Sequence, residues 1–368
     1  MSEFIVSARK YRPQTFSTVV GQQGLMTTLK NAITGNRLAH AYLFCGPRGV
    51  GKTTSARIFA KTINCLNPTP DHEACGECES CKAMNENRSF NIHELDAASN
   101  NTVDEIRKLI AQVNIPPQIG RYSVFIIDEV HMLSSSAFNA FLKTLEEPPA
   151  HAIFILATTE KHKILPTILS RCQCYDFNRM SVQEIVNHLK FVAEKEGVSV
   201  DEEALNVIAI KSDGGMRDAL SIFDQIVSFC GKQVKYEDVI KNLNVLDYNY
   251  YFTLTTNFLE GNTKESILTF DEIIRKGIDG SQFISGLCSH IRNLIMSKDE
   301  ETIRLIEMAE SIQEGYRTQS INCPDDFLYE ALRITSECEF KYKDCPNKRL
   351  MTEVMLMRLC QLGKKKTQ

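Results

Sequence analysis

The segment that most restricts what this chain can fold into is GPRGVGKT at 46–53, between the apolar run AYLFC at 41–45 and a stretch with helical spacing. It fits GxxxxGK[ST], in which backbone N–H groups of a glycine turn surround phosphate oxygens at the start of a helix. In that pattern Lys52 neutralises the terminal phosphates and the Thr53 hydroxyl binds Mg²⁺. The pattern predicts a nucleotide loop; the alternative is a glycine turn that only closes a strand. The predicted contacts are Gly46, Pro47, Arg48, Gly49, Val50, Gly51, Lys52, Thr53 and Thr54.

Short apolar runs alternate with helical stretches from residue 41 to about 177. The runs at 41–45, 122–128 and 151–159 are long enough for strands and too continuous for strands with one exposed face. A weaker run at 91–96 predicts a fourth strand. Alternation of this kind predicts an α/β domain with a parallel sheet and helices on both faces.

Local signals predict several helix ends. A helix is expected from about Val103, and another in SSSAFNAFLKTLEE at 134–147, with serines to cap its start and Pro148-Pro149 to stop it. Pro166 is expected in the first turn of a short helix that ends at Ser170-Arg171.

The strand signal fades after Phe177, and the remaining chain shows helical patterns. In residues 179–245 each of three helical stretches ends at glycine, the usual stop residue. Longer amphipathic helices follow. We therefore predict a nucleotide-binding domain at 1–178, with a cysteine-rich module at 65–81, and helical domains at 179–245 and 246–368.

Charge and hydropathy restrict the class of protein. The 42 basic and 46 acidic side chains give a net charge of -4, so any contact with nucleic acid must be local. No apolar run approaches the roughly 18 residues that span a bilayer, and the N-terminus lacks a signal-peptide core. These features predict a cytoplasmic protein without a membrane partner. In that reducing compartment most of the thirteen cysteines are expected to be buried free thiols.

Hydrolysis of a nucleotide requires acidic groups near the phosphates, and the run YSVFIID at 122–128 supplies them at its end. Asp128 lies at the predicted carboxyl end of the strand, where it would hold Mg²⁺ through water. Glu129 would orient and deprotonate the attacking water. The alternative is a pair of solvated acids in a strand-to-helix turn.

Three more polar residues are candidates on weaker signals. The run HAIFILATT ends in Thr158-Thr159, where a hydroxyl would reach the γ-phosphate or the water, although threonine is common at strand ends. Arg171 ends the short proline-initiated helix and is otherwise an ordinary surface charge. Arg217 lies near the start of a helix, where the helix dipole disfavours a cation, and this mild conflict indicates a function.

Four cysteines, Cys65, Cys75, Cys78 and Cys81, fall within seventeen residues. Four thiolates with two tight x₂ spacings suit tetrahedral Zn²⁺ in a closed, structural site. The alternative is a set of free thiols. The polar side chains around the cluster predict an acidic module that does not read DNA: Asp71, His72, Glu73, Glu77 and Glu79.

An ordered set of motifs resembles one protein family: ARKYRPQTF, GPRGVGKTT, the four-cysteine cluster, IIDEVHML, NAFLKTLEEPP, ATTEKHKILPTILSRC and GGMRDALS. Over about residues 1–245, and more loosely beyond, the chain is similar to the gamma/tau family of bacterial DNA polymerase III clamp-loader subunits. The resemblance implies an AAA+ ATPase with an α/β phosphate-loop domain, a small helical lid domain and a helical collar domain that joins subunits into a ring.

The resemblance also implies roles for individual residues. Thr158 takes the first sensor role, Arg217 the second sensor role in the lid, and Arg171 the finger that reaches a neighbour's ATP site. The segments Tyr11-Arg12-Pro13 and Val19-Val20 border the adenine. The cysteine cluster is similar to a zinc module that the family inserts after its phosphate-loop helix.

The function implied by the resemblance is that of an ATP-hydrolysing motor subunit with Mg²⁺ and Zn²⁺. With other clamp-loader subunits in a hetero-oligomeric ring, it would load a sliding clamp onto primed DNA for the DNA polymerase III holoenzyme. The alternatives are a non-catalytic scaffold subunit of that assembly and another AAA+ ATPase acting on DNA, such as a branch-migration motor or an initiator. The chain stops at residue 368, without the extended region that contacts helicase and polymerase in that family, as expected of a short gamma-like form or a truncated chain.

Overall fold

A computed structural model describes residues 5–86, 88–243, 245–306, 308 and 310–364. The chain divides into two compact units, Met1–Val192 with Ala209–Gln225, and Ala193–Ile208 with Ile226–Gln368. The three domains predicted from the sequence, with boundaries at 178 and 245, remain a prediction. Across the described ranges, no helix is both long enough and apolar enough to cross a bilayer.

The first unit contains a five-stranded sheet. Its strands are β1 (Ala41–Cys45), β2 (Ile92–Asp96), β3 (Ser123–Asp128), β4 (Ala152–Thr158) and β5 (Gln173–Asp176). Their spatial order is β2-β3-β4-β1-β5 and every neighbouring pair is parallel, which confirms the predicted parallel sheet. The carboxyl ends therefore share one edge, where ligands of open α/β sheets bind.

Helices connect and flank these strands. They are α1 (Ser7–Lys10), α2 (Gln23–Thr34), α3 (Lys52–Ile63), α4 (Glu79–Asn85), α5 (Val103–Val113), α6 (Ser135–Glu146) and α7 (Pro166–Leu169). Short 3₁₀ helices lie at Phe16–Thr18, Val130–Met132 and Lys161–Lys163. The sequence patterns do not predict α2 or β5. Strand β5 is four residues long and buries only Tyr175, which is too little for a recognisable strand pattern.

Alternate residues of the strands pack into separate cores on the two faces of the sheet. Leu43, Phe125 and Phe154 pack with helices α5 and α6. Tyr42 and Ile126 belong to a second cluster, with α2 and α3. Side chains alternate along a strand, so a strand buried on both faces carries a continuous apolar run. The predicted helices on both faces are thereby confirmed.

Predicted helix starts are confirmed at three places. Helix α5 begins at Val103 and is capped by the Thr102 hydroxyl. Helix α6 is capped by the Ser134 hydroxyl, which accepts a backbone hydrogen bond. Pro166 is the first residue of α7. Side-chain caps accept hydrogen bonds from N–H groups that have no acceptor inside the helix. Because the capping residue directly precedes the helix, the sequence shows where such a helix begins.

Four helices and a short strand pair follow: α8 (Val182–Glu196), β6 (Ser199–Val200), α9 (Glu202–Lys211), α10 (Met216–Cys230), β7 (Gln233–Val234) and α11 (Tyr236–Leu243). Gly197 and Gly231 directly follow α8 and α10 with positive φ, which confirms two of the three predicted glycine stops. Helix α9 ends at Lys211, three residues before Gly214, so the third prediction is wrong. The all-helical expectation for 179–245 is wrong in one detail, because β6 pairs in parallel with β7. Strands of two residues carry no periodicity for a sequence pattern to show.

The helical remainder contains α12 (Tyr248–Glu260), α13 (Thr263–Arg275), α14 (Gly280–Met296), α15 (Glu310–Ile321), α16 (Asp325–Tyr342) and α17 (Lys348–Lys364), with a 3₁₀ helix at Ile303–Leu305. His290 of α14 is buried in this core. Its Nδ1 lies 3.0 Å from the Tyr316 hydroxyl and its Nε2 lies 3.1 Å from the Thr255 hydroxyl. Burial lowers the pKa of His290 to about 3, so the ring is neutral and serves packing.

Leu287→Ala should destabilise the second unit, because Leu287 on α14 is fully buried. The cavity left behind should lower the free energy of unfolding by about 2–5 kcal/mol. Leu268→Ala on α13, where the side chain is 52% exposed, is the matched control and should change it by less than about 0.5 kcal/mol. Urea denaturation followed by circular dichroism measures both. Equal losses in the two variants would contradict this packing.

Candidate nucleotide and metal sites

The predicted nucleotide loop joins the end of β1 to the start of α3 at Lys52. Three of its glycines have positive φ, with Gly46 at 150°, Gly49 at 78° and Gly51 at 99°. A Cβ on Gly46 would lie 2.4 Å from the carbonyl oxygen of Phe177, so only glycine fits this turn. The first N–H groups of an α-helix lack intrahelical acceptors, which makes the start of α3 suited to bind an anion.

Lys52 directs its ammonium group back onto the loop. Its Nζ donates hydrogen bonds to the carbonyl oxygens of Gly46 at 2.7 Å and Pro47 at 2.8 Å. The residue is 6% exposed. Burial lowers the pKa of Lys52, while the carboxylates of Glu129 and Asp128 raise it. A buried cation among loop carbonyls is available to bind phosphate oxygens.

A hydrogen bond links the loop to the acidic end of β3. The Thr53 hydroxyl donates to Asp128 Oδ2 at 2.6 Å, and Asp128 Oδ1 accepts from the Glu129 backbone N–H at 2.9 Å. Strand β4 lies between β1 and β3, so this bond connects the helix that follows β1 to the last residue of β3, which is not a neighbour of β1 in the sheet. A hydroxyl and a carboxylate brought together in this way are ligand types that Mg²⁺ takes.

Glu129 has a φ of 47°, in the left-handed region that residues other than glycine rarely adopt. Its Oε2 accepts hydrogen bonds from the Thr159 backbone N–H at 3.3 Å and from the Thr159 hydroxyl at 3.0 Å. The carboxylate is therefore held at the end of β4. Residues in such sparsely populated conformations cluster at functional sites.

His131 lies at the centre of the network around Glu129, although the sequence alone assigns it no role. Its Nδ1 is 3.0 Å from Thr158 Oγ1 and 3.4 Å from Glu129 Oε2. Its Nε2 is 3.2 Å from Glu160 Oε2. Thr158, the predicted first sensor, is fully buried at the end of β4. The signal that points to His131 is its position two residues after the acid pair.

Two predicted nucleotide-binding arginines lie beside the loop. The Arg217 backbone N–H donates to the Gly49 carbonyl at 3.4 Å, and Arg12 Nε donates to Thr54 Oγ1 at 3.1 Å. Burial lowers the pKa of Arg12 and the positive charges of Arg57 and Arg217 lower it further, while the carboxylates of Glu94 and Asp128 raise it. An anion such as phosphate beside the desolvated guanidinium of Arg12 would stabilise its charge.

Arg171 makes its contacts at the end of α7. Its Nη2 pairs with Glu146 Oε1 of α6 at 2.8 Å, and its Nη1 donates to the Thr167 carbonyl at 2.7 Å. The arginine side chain is 35% exposed and the glutamate side chain 48%. Within this chain the predicted finger is thus an exposed arginine in a surface ion pair.

The segment predicted to border the adenine contains Tyr11 and Val19. The Tyr11 ring packs edge-on against Phe191 of α8, with ring centroids 6.3 Å apart, and the Lys10 ammonium lies 5.5 Å from the centre of the tyrosine ring. Val19 is buried in the same cluster as Phe16. The adenine contacts themselves stay a prediction.

The four clustered cysteines bring their sulfur atoms together beyond the end of α3. All four Sγ atoms lie within 4.8 Å of one another, with Cys65 and Cys75 at 3.5 Å and Cys75 and Cys81 at 4.0 Å. Zinc–sulfur bonds of about 2.3 Å in a tetrahedron place sulfur atoms about 3.8 Å apart, so the four thiols fit that metal. Backbone N–H groups of Cys78 and Glu77 lower the pKa of Cys75 to about 6, which favours the metal-binding thiolate.

Glu73 departs from the acidic surface predicted for this module. It is 7% exposed, whereas Asp71 in the same loop is exposed. Its carboxylate accepts hydrogen bonds from the backbone N–H groups of Phe16 at 2.9 Å and Ser17 at 3.1 Å. It also pairs with Lys30 at 2.8 Å. Phe16 is 57 residues away from Glu73 in sequence, so no local pattern reveals the contact.

The thirteen cysteines, all within the described ranges, are free thiols. The expectation that most of those outside the cluster are buried is wrong, because only Cys45, Cys323, Cys338 and Cys360 are. Cys174 is exposed and the others are half-buried. A reducing compartment explains why cysteines stay free thiols, but it does not determine how deeply each side chain is buried.

Three family models match consecutive parts of the chain. A model described as DNA polymerase III, delta subunit, matches residues 21–181. The ATPase lid domain of the DNA polymerase III clamp-loader subunit matches residues 184–232. Domain III of the DNA polymerase III subunits gamma and tau matches residues 234–368.

Curated relatives match nearly the whole chain. DNA polymerase III subunit tau of Bacillus subtilis is 42% identical over 353 residues, which cover 96% of this chain and 62% of that protein. Subunit gamma of Buchnera aphidicola subsp. Baizongia pistaciae is 33% identical over 367 residues, 98% of each chain. Among solved structures, the Thermotoga maritima RuvB Holliday junction branch migration motor is 19% identical with a TM-score of 0.48, over 68% of this chain and 80% of that one.

The chain spans about half to three fifths of the tau relatives, with 62%, 55% and 50% of the Bacillus, Salmonella and Haemophilus proteins covered. It spans 98% of the shorter gamma relative from Buchnera. The predicted α/β phosphate-loop fold with helical domains after it agrees with these matches. The chain belongs to the gamma/tau family of DNA polymerase III clamp-loader subunits.

Proposed function

We propose that the chain is the ATP-hydrolysing motor subunit of a replicative clamp loader. It acts with other clamp-loader subunits in a hetero-oligomeric ring that loads a sliding clamp onto primed DNA. The observation that carries the nucleotide part is the 2.6 Å hydrogen bond from Thr53 to Asp128, which joins the glycine loop to the acidic strand end. Membership of the gamma/tau family supports the assembly and its DNA substrate.

The loop residues Gly46–Thr54 bind the triphosphate of ATP through backbone N–H groups at the start of α3. Lys52 exchanges its loop carbonyl partners for oxygens of the β- and γ-phosphates. Thr53 and Asp128 would hold Mg²⁺, with Asp128 acting through water, and the ion would neutralise phosphate charge. Tyr11 and Arg12 border the adenine side of the nucleotide.

Glu129 acts as the general base for the attacking water. Thr158 is the first sensor. Its hydroxyl lies 3.0 Å from His131 Nδ1, and the same nitrogen lies 3.4 Å from Glu129 Oε2, so His131 links the two residues. Arg217 is the second sensor, supported by its position against Gly49 of the loop. A γ-phosphate contact at Thr158 would thus reach Glu129 through His131.

Arg171 acts in trans on the ATP of a neighbouring subunit. Its pairing with Glu146 is exposed, and exposed ion pairs contribute only about 0–1 kcal/mol. Arg171 can therefore leave Glu146 at small cost and stabilise charge on the transferring phosphoryl group of the neighbour. Hydrolysis then depends on assembly.

The four clustered cysteines bind one structural zinc ion. The sulfur separations and the backbone hydrogen bonds to sulfur support this assignment. Four thiolate ligands leave no open position for water, so the metal stabilises the module and takes no part in hydrolysis.

The scaffold alternative is disfavoured because the residues needed for turnover are present and clustered: Lys52, Thr53, Asp128 and Glu129. A branch-migration motor or initiator is disfavoured by the four-cysteine module and by the family matches along the chain.

Lys52→Ala should lose tight ATP binding, while Glu129→Gln should bind ATP and lose turnover by about 10²-fold or more. The first change removes a phosphate ligand, and the second removes the base but leaves the loop intact. A fluorescent ATP analogue measures binding, and phosphate release by the reconstituted assembly measures turnover. Glu147→Gln, at an exposed carboxylate, is the control. Wild-type turnover by Glu129→Gln would contradict the assignment and favour the scaffold alternative.

Arg171→Ala and Glu129→Gln proteins, each inactive alone in the assembly, should regain activity when mixed. Interfaces that pair an intact site with an intact Arg171 from the neighbour form only in the mixture. Arg107→Ala, which removes an exposed arginine paired with Asp104, is the control and should stay active. ATPase rates of mixed assemblies measure recovery, and its absence in assemblies shown to contain both variants would contradict action in trans.

Zinc removal should lower the melting temperature of the chain, because the metal is the main link that holds the four clustered cysteines together. The purified protein should contain about one zinc per chain, as a four-thiolate site requires. Cys81→Ser should lose the metal and Cys174→Ser, at an exposed thiol outside the cluster, should retain it. Metal analysis and thermal denaturation measure both effects. Chelation that leaves the melting temperature and helical content unchanged would contradict a structural metal.

A further inference from the structure

A single buried carboxylate joins the cysteine module to the segment that precedes α2. Glu73 accepts hydrogen bonds from the backbone N–H groups of Phe16 and Ser17, at 2.9 and 3.1 Å, and pairs with Lys30. Hydrogen bonds to a charged acceptor are stronger than neutral ones, and the low exposure of this residue limits competition from water. The contact fixes the backbone at the start of the 3₁₀ helix at Phe16–Thr18.

The loop that carries Glu73 depends on the cysteines for its shape. Among the described residues between the end of α3 and the start of α4 there is no helix or strand. Thr69 supports the loop locally, because its N–H donates to the Glu73 carbonyl and its hydroxyl accepts from the Glu73 N–H. Cys65 and Cys75 lie on either side of nine intervening residues. A metal bound to both closes this loop and restricts the positions open to the carboxylate.

The module is also fastened to the helix that starts in the nucleotide loop. Lys61 of α3 is 7% exposed and donates to Asn85 Oδ1 of α4 at 2.7 Å. Cys65 follows the last residue of α3, Ile63, by two positions. The module therefore has one attachment on α3 and a second on the N-terminal segment.

In the N-terminal segment, Arg12 lies four residues before Phe16, the residue whose backbone binds Glu73. Arg12 Nε donates to Thr54 Oγ1 at 3.1 Å. Pro13 follows directly and restricts the backbone between the two contacts. On the other side, the Ser7 backbone N–H donates to Asp224 Oδ2 at 2.7 Å. Arg12 is thus held between two anchors, one of which is the cysteine module.

We propose that Glu73 is a positioning residue for nucleotide binding, through which the metal-closed cysteine loop fixes the segment that carries Arg12 against the nucleotide loop. Glu73 touches no substrate and acts through the backbone of Phe16 and Ser17. The inference rests on the proposed nucleotide site. It gives the cysteine module a task within its own subunit.

The test compares the zinc-containing full chain with Glu73→Ala, Glu73→Gln and the matched control Asp71→Asn, at an exposed carboxylate of the same loop. Binding of a fluorescent ADP analogue with Mg²⁺ is measured together with the zinc content. Glu73→Ala should raise the dissociation constant about tenfold, as expected for loss of charged hydrogen bonds. Glu73→Gln should raise it less, because the amide oxygen still accepts, and Asp71→Asn should leave it unchanged.

Two further measurements separate positioning from general destabilisation. In the assembly, Glu73→Ala should raise the KM for ATP while kcat stays within about twofold, because the residues that act on the water are untouched. Hydrogen exchange at the amides of Phe16 and Ser17 should accelerate in Glu73→Ala. It should also accelerate in the wild-type chain after zinc is removed by a chelator.

A zinc-containing Glu73→Ala protein with wild-type nucleotide affinity would overturn the inference. So would amide exchange at Phe16 and Ser17 that chelation leaves unchanged, and this second outcome decides the matter if Glu73→Ala fails to fold. Absence of nucleotide binding by the wild-type chain would instead overturn the proposed function, while the exchange measurement would still test the link between metal and segment.

Discussion

The hydrogen bond between the Thr53 hydroxyl and Asp128 requires two non-neighbouring strands to end at the same level of the sheet. The register provides this, because β1 ends level with Thr158 of β4 and β3 ends just beyond the level of Leu156. Apolar side chains point alternately to the two faces of the sheet, and their burial on both faces fixes that register. The residues proposed as magnesium ligands, base and first sensor lie at this common edge, so the proposed chemistry depends on the packing of the sheet.

Two groups assigned to hydrolysis are held by partners of their own chain. Glu129 accepts hydrogen bonds from Thr159, and Arg171 pairs with Glu146. In the proposed function each must change partners before ATP is hydrolysed, the first through its own nucleotide and the second through a neighbouring subunit. The Arg171–Glu146 pair is exposed, and such ion pairs contribute only about 0–1 kcal/mol. Such an arrangement suits a motor that hydrolyses ATP only after assembly.

The features that the sequence predicts correctly depend on interactions between residues close together in the chain. The glycine loop, the buried strands and the caps at Thr102 and Ser134 each depend on residues a few positions apart, so a linear pattern contains them. The unpredicted elements depend on distant parts of the chain. Strand β5 is recognisable only from its pairing with β1, and the burial of Glu73 only from its contact with Phe16. The sensor, finger and adenine assignments stay predictions, because their partners are a nucleotide and a second subunit.

Isothermal titration calorimetry of the purified chain with ATPγS, with and without Mg²⁺, tests the central claim most directly. The account predicts one nucleotide bound per chain, with an affinity that falls by about tenfold or more when Mg²⁺ is withheld, since Thr53 and Asp128 would hold an ion that neutralises phosphate charge. Failure to detect magnesium-dependent binding, in the chain alone and in the reconstituted assembly, would contradict it.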